Sequence, residues 1–205
     1  PPSGPIAFMS QSGALGTAVL DMAMAGRIGF SKFISLGNKA DVSEIDLLQA
    51  LADDEESKVI LIYVEGLPDG QRFIDVARKI TRQKPVVAIK SGVTASGSRA
   101  VSSHTGSLAG SEAAYKAAFR QAGIISAKDP EEVLDYTKAF LYLNPMKGNR
   151  VGVVTFTGAG GIILIDTLEE QGLQMAELSS ETIKTVKDFS PEWMPIHNPL
   201  DIWPA

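Results

Sequence analysis

Val59-Ile60-Leu61-Ile62-Tyr63-Val64-Glu65-Gly66 is an unbroken apolar and β-branched run that stops at a carboxylate and a glycine. A run this short, apolar along its length and bounded by turn residues, suits a strand buried on both faces, as in parallel sheets covered by helices. Working outward, similar runs recur, each with a helical pattern after it. Ile6 to Ser10 precedes a predicted helix from Ala14 to Ala25 closed by Gly26, and Lys32 to Leu36 precedes one from about Ser43 to Asp53. The run at Val59 leads to a helix from Gly70 to Thr81, Pro85 to Lys90 leads after a loop to Ser111 to Ala122, and Ile124 to Ser126 leads to Pro130 to Leu143. Such alternation predicts an α/β fold, a doubly wound parallel sheet built by right-handed crossovers. Ligands of these sheets sit beyond the carboxyl ends of the strands, so the chemistry is expected in the loops that follow them.

Asn144-Pro145-Met146-Lys147-Gly148-Asn149 reads as a connector, which divides the chain into residues 1–145 and 146–205. The second part shows one strand from Val151, a helix ending near Gly172, a helical stretch from about Ser180 to Phe189, and then a Pro-rich loop. So short a stretch does not close a sheet of this kind, since burial per residue falls steeply at that size. The expectation is the truncated start of a second, similar α/β domain, and hence a chain that is part of a longer polypeptide. An internal repeat supports the similarity. Setting Ile6 on Val151 pairs Ser10 with Thr155, Gly13 with Gly158, Ala14 with Ala159, Gly16 with Gly161 and Asp21 with Asp166. Each copy is a strand, a small-residue turn and a helix start without bulky side chains. The unpaired amides and positive dipole end of such a start favour an anion. Ser12, Gly13 and Ala14, with Gly158, Ala159 and Gly160, are therefore candidate phosphate-binding residues, two ends able to close on one anion. Neither turn has the spacing of a dinucleotide fingerprint or a P-loop.

Composition narrows the partners. The net charge of -5 argues against nucleic acid, and the chain has no cysteine for disulfides, thiolate metal sites or thiol nucleophiles. No apolar run approaches the ~20 residues that span a bilayer, and no signal-type start is present, so a cytoplasmic protein with no membrane partner is expected.

One of the two histidines stands in Ser102-Ser103-His104-Thr105-Gly106-Ser107-Leu108-Ala109-Gly110, a loop of small residues. An imidazole framed this way can present a ring nitrogen to a phosphoryl group, with Thr105 and Gly106 beside it. A nucleophilic histidine needs its other nitrogen fixed by an acceptor. Glu65, at the carboxyl end of the third strand, is the candidate for that role, against the alternative of a solvated carboxylate. Lys90, ending the fourth strand, either steadies a phosphate or points to solvent. Asn38-Lys39-Ala40-Asp41 falls at the same edge without an assigned role. His197, beside Trp193, reads as a packed loop residue, and Asp53-Asp54-Glu55-Glu56 as a solvated helix end. No metal site is expected.

Ser10 to Leu15, Gly37 to Asp41, Val64-Glu65-Gly66, Lys90-Ser91-Gly92, the His104 loop and Asn198-Pro199-Leu200-Asp201 together resemble the NDP-forming acyl-CoA synthetases, relatives of succinyl-CoA synthetase, over nearly the whole chain. The resemblance implies a flavodoxin-like domain of succinyl-CoA ligase type. It further implies the reaction in which acyl-CoA, ADP or GDP, and phosphate give the acid, CoA and the triphosphate. An acyl phosphate forms, its phosphoryl group passes to His104, oriented by Glu65, and the phosphohistidine passes it to the nucleotide. CoA, ATP or ADP and Mg²⁺ would be held mainly by a CoA-binding domain and an ATP-grasp domain outside these residues, in the same chain or a partner subunit of a homo- or hetero-oligomer. No tightly bound cofactor is expected in this part. The resemblance also sets Asn198 to Asp201 just before an acyl-binding region. Two alternatives remain: a catalytically silent, ligand-sensing module of a multidomain acetyltransferase, and a flavin binder. The lack of aromatic residues in the strand-end loops counts against the flavin.

Overall fold

The apolar runs form a sheet because each buries side chains to both sides of it. The computed structural model describes residues 1–37, 39, 41–94, 96, 97, 99, 101 and 112–202. They divide into two compact units, Pro1–Asn144 and Pro145–Ala205.

In the first unit, strands β1 (Ser3–Ser10), β2 (Phe30–Ser35), β3 (Val59–Val64), β4 (Val86–Lys90) and β5 (Ile125–Ala127) form one five-stranded sheet in the order β2-β1-β3-β4-β5. Every pairing is parallel. Helices α1 (Gly13–Ala25), α2 (Glu44–Ala52), α3 (Gly70–Ile80), α4 (Glu112–Ala122) and α5 (Pro130–Tyr142) complete the unit. Along β3 the side chains alternate: Ile60, Ile62 and Val64 pack with Leu48 of α2, Phe73 of α3 and Phe119 of α4. Val59 and Leu61 pack on the other face with Val19 of α1 and Val133 of α5. Each fully buried aliphatic side chain of this kind contributes roughly 1.5–3 kcal/mol, so the two layers together outweigh any single polar contact in the unit.

β1 begins three residues before the expected Ile6, and β2 two before Lys32. The early part of β1 contains Pro5, which lacks an N–H, and its register with β2 shifts between Ser3 and Ile6. That irregularity admits the proline. It also brings backbone against backbone, since a Cβ on Gly29 would stand 2.3 Å from the Ser3 carbonyl oxygen.

The second unit corrects the expectation of one strand and a terminal loop. Four two-residue strands form two parallel pairs: β6 (Arg150–Val151) with β8 (Gln174–Met175), and β7 (Val154–Thr155) with β9 (Leu200–Asp201). Helices α6 (Gly158–Glu170) and α7 (Ser180–Lys187) complete it. Strands of that length have no readable period, and the partner of β7 lies far along the chain. Asn198 ties the two pairs together: its Oδ1 accepts from Val153 N at 2.9 Å, and its Nδ2 donates to the carbonyls of Val151 and Ala176, both at 2.8 Å.

Candidate functional site

In the order β2-β1-β3, the strand sequence reverses between β1 and β3, the position where open α/β sheets leave a crevice at their carboxyl edge. Both strand ends there carry chemistry. β1 ends on Ser10, fully buried, whose Oγ donates to the Ser12 carbonyl at 2.6 Å and accepts from Ser12 N at 3.2 Å. The tight turn delivers Ser12 to the N-cap of α1, where its Oγ accepts from Leu15 N at 3.3 Å. Gly13 and Ala14 are exposed, and their N–H groups find no acceptor among the described residues. They are free to receive an anion at the positive end of α1.

The second unit builds the same device. Thr155 Oγ1 donates to the Thr157 carbonyl at 2.9 Å and accepts from Thr157 N at 3.1 Å, ahead of Gly158, Ala159 and Gly160 in the first turn of α6. Gly16 and Gly161, paired in the sequence repeat, are both buried with Ser10 or Thr155 as neighbours. The copies differ in their caps, because Thr157 makes no side-chain bond to the helix. Asp201 Oδ2 also lies 3.3 Å from where a Cβ of Gly158 would stand, so a carboxylate already neighbours that helix start.

Glu65 follows β3 and is only 8 % exposed. It is therefore not the solvated carboxylate of the alternative reading. The backbone around it is gripped by Gln11: Oε1 accepts from Glu65 N at 2.7 Å and Gly66 N at 3.0 Å, and Nε2 donates to the Gly66 carbonyl at 2.9 Å. Nε2 donates as well to Glu44 Oε1, on the first turn of α2. Lys39 donates to the Gly66 carbonyl at 2.7 Å and pairs with Glu44 Oε1 at 3.3 Å.

Lys90 does not project freely to solvent. Its Nζ sits 4.5 Å from the centre of the Tyr115 ring and donates to the Ser91 carbonyl. Burial lowers its pKa below the ordinary lysine value, and the Glu65 charge opposes part of that shift. Tyr115 is pushed up by burial, offset in part by the Leu67 N–H that its hydroxyl accepts at 3.1 Å. Both residues line an open cleft of about 410 Å³ with Phe119 and Lys128. His104, Thr105 and Gly106 lie outside the described residues. His197 is exposed and lines a separate hollow with Met175 and Ile196 in the second unit. Among the described residues no group of three or more His, Asp or Glu is set to hold a metal, and no helix is long and apolar enough to cross a membrane.

Residues 3–140 match the family model described as the succinyl-CoA ligase like flavodoxin domain. The chain belongs to this family. Relatives of the ligase-like flavodoxin chain extend the match into the second unit. The α subunit of acetate–CoA ligase [ADP-forming] II of Pyrococcus furiosus is 47 % identical, with 97 % of this chain aligned to 43 % of that protein. Acetate–CoA ligase [ADP-forming] I of Archaeoglobus fulgidus is 46 % identical over 98 % of this chain and 29 % of its own length. Among solved structures, the dinucleotide forming acetyl-coenzyme A synthetase 1 of Candidatus Korarchaeum cryptofilum, in complex with phosphate and ADP, superposes with a TM-score of 0.91 at 42 % identity, covering 98 % of this chain and 44 % of that one. The ligase-like flavodoxin chain thus spans less than half the length of these relatives.

Within its first unit, sequence reasoning missed Gln11, Glu44 and Tyr115. Two signals were present. Gln11 is the one long side chain in a turn of small residues, and Glu44 interrupts an apolar helix face one residue after the Ser43 cap.

Proposed function

We propose that this chain is the phosphohistidine-bearing part of an NDP-forming acyl-CoA ligase, which converts acyl-CoA, ADP and phosphate to the free acid, CoA and ATP. Phosphate attacks the thioester carbonyl, the C–S bond breaks, and CoA leaves as the thiol. A ring nitrogen of His104 then attacks phosphorus in the acyl phosphate, releasing the carboxylate. The phosphohistidine finally gives the phosphoryl group to ADP. Glu65 accepts the N–H of the other ring nitrogen and stabilises the imidazolium character that the transfer creates. The amides of Gly13 and Ala14, with the hydroxyl of Ser12, stabilise the phosphoryl oxygens, with Thr105 and Gly106 beside the histidine, and Gly158, Ala159 and Gly160 offer the same chemistry in the second unit. Phosphoryl transfer asks mainly for such positioning and charge stabilisation. CoA, the nucleotide and its Mg²⁺ are held by a CoA-binding and an ATP-grasp domain, in the same chain or a partner subunit, within an oligomeric cytoplasmic enzyme.

The observation that carries the reading is Glu65, buried at the β1/β3 reversal beside a helix start with free amides. Family membership and the names of the relatives support it. The test uses the full-length parent enzyme with γ-labelled ATP and Mg²⁺. Acid-labile phosphate should appear on His104, vanish in His104→Asn, and form at least tenfold more slowly in Glu65→Gln, the low end of what general acid–base and orienting groups contribute. Label that persists in His104→Asn would sink the assignment. No label in the wild-type enzyme would favour the silent, ligand-sensing module.

A further inference from the structure

The ladder that directs β3 ends before Glu65. Its last bonds run from Gln11 N to the Tyr63 carbonyl at 3.2 Å and from Ser91 N to the Val64 carbonyl at 3.1 Å. Beyond them the Glu65–Gly66 backbone leaves the sheet, and its polar groups are taken up by side chains. Gln11 meets two of its N–H groups with one oxygen and one carbonyl with its nitrogen. The fourth position of the amide goes to Glu44. A glutamine amide has two acceptor sites and two donors, and here all four are engaged. The bonding also fixes its orientation, since the reversed amide would set NH₂ against two N–H groups.

Glu44 is fully buried and shares its Oε1 between Gln11 and Lys39. Its Oε2 has no hydrogen-bond partner among the described residues. Two features compensate the buried charge: the Lys39 ammonium and the N-terminal turn of α2, in which Glu44 is the first residue. Lys39 adopts a φ of 54°, a left-handed conformation that a lysine avoids unless its contacts demand it. From there it supplies the second donor to the Gly66 carbonyl.

We infer that Gln11, backed by Glu44 and Lys39, is a positioning residue that holds the Glu65–Gly66 turn and so aims the Glu65 carboxylate. The inference rests on the phosphohistidine reading, in which Glu65 orients His104. Gln11 takes no part in bond making; it sets where the acceptor stands. Displacements of about 1 Å in such groups cost on the order of a hundredfold in rate.

The experiment is a double-mutant cycle in the full-length parent enzyme, read as the single-turnover rate of His104 labelling at saturating acyl-CoA and phosphate. Gln11→Met should slow labelling by about ten- to a hundredfold without raising the substrate concentration at half-saturation. In a Glu65→Gln background it should add little, because the group it positions is already disabled. Gln11→Asn, which keeps the amide but withdraws it by one carbon, gives the same pattern if the Met variant does not fold. Equal slowing in both backgrounds, or no slowing, overturns the inference while the phosphohistidine reading stands. A Glu65→Gln enzyme that labels at the wild-type rate removes Glu65 from the mechanism and the inference with it. Wild-type enzyme that takes no label overturns both.

Discussion

Lys90 is held where a lysine is costly: half-buried, over the face of Tyr115, with the Glu65 charge acting on it. Burial is the larger effect and lowers its pKa. The unfolded chain therefore binds this proton more tightly than the folded one. Stability should rise with pH between the folded value of Lys90 and the ordinary lysine value of about 10.4. Lys90→Met, which keeps the stem over the ring, should flatten that rise in urea titrations at alkaline pH; an unchanged slope would mean that Lys90 is solvated. Two glycines test packing at the same scale. A Cβ on Gly16 would stand 2.5 Å from the tip of the Phe33 ring, whose 39 % exposure leaves it room to swing, whereas on Gly29 it would meet the Ser3 carbonyl. Gly16→Ala also gains about 1 kcal/mol of helix propensity inside α1, so its net effect should lie within about 1 kcal/mol of zero. Gly29→Ala has no such offset and faces backbone that cannot yield, so a loss of roughly 3 kcal/mol is expected. Denaturant midpoints of the two variants in the reverse order would show that the ring, not the backbone, is the rigid partner.

At the scale of the element, α2 owes its start to a capping box. Ser43 Oγ accepts from Asp46 N at 3.4 Å, and the Asp46 carboxylate accepts from Ser43 N at 3.0 Å. Hydrogen bonds from Ser43 are the main reason that Asp46 titrates below the usual carboxylate range. With its pKa lowered by folding, Asp46 stabilises the chain at pH values above its unfolded pKa and loses that contribution as pH falls through the folded one. Ser43→Ala should cost about 1 kcal/mol at neutral pH and, with the backbone N–H at this position still donating to Asp46, reduce this part of the acid sensitivity, which thermal melts across acidic pH can read. The same start places Glu44 under Gln11, so the cap also serves the candidate site. Elements of this kind were legible where their signal was local. β3 matched its run residue for residue, because two buried faces demand an uninterrupted apolar sequence. The paired turns at Ser10 and Thr155 were legible as a repeat of small residues, and Glu65 as a carboxylate at the carboxyl end of a strand. Gln11 stood out only as a long side chain among small ones; its role was not legible, since its partners, the Glu65–Gly66 turn and Glu44, lie far along the chain. β9 escaped for the same reason: Leu200 and Asp201 become a strand only by meeting Val154 and Thr155.

For the whole chain, the two units differ in how much core each possesses. The first buries two apolar layers, one on each face of its sheet. In the second, Val153 and Met194 are the buried hydrophobic side chains among the described residues, while Phe156, Ile162, Ile163, Phe189 and Trp193 are exposed. α6 buries Gly161 alone, and α7 buries nothing. A segment with so few buried apolar contacts opens at little cost, whereas strands enclosed on both faces open only with global unfolding. Hydrogen exchange on the 205-residue chain should therefore separate the units. Amides of β1, β3 and β4 should be protected for the longest times, and those of residues 150–202 should exchange orders of magnitude sooner, those of β6 and β8, bridged by Asn198, last among them. Asn198→Ala removes three hydrogen bonds in the second unit and none in the first, so it should abolish the residual protection there while leaving the first unit unchanged. Protection of residues 150–202 equal to that of β3 would mean that the second unit draws stability from contacts beyond its own small core.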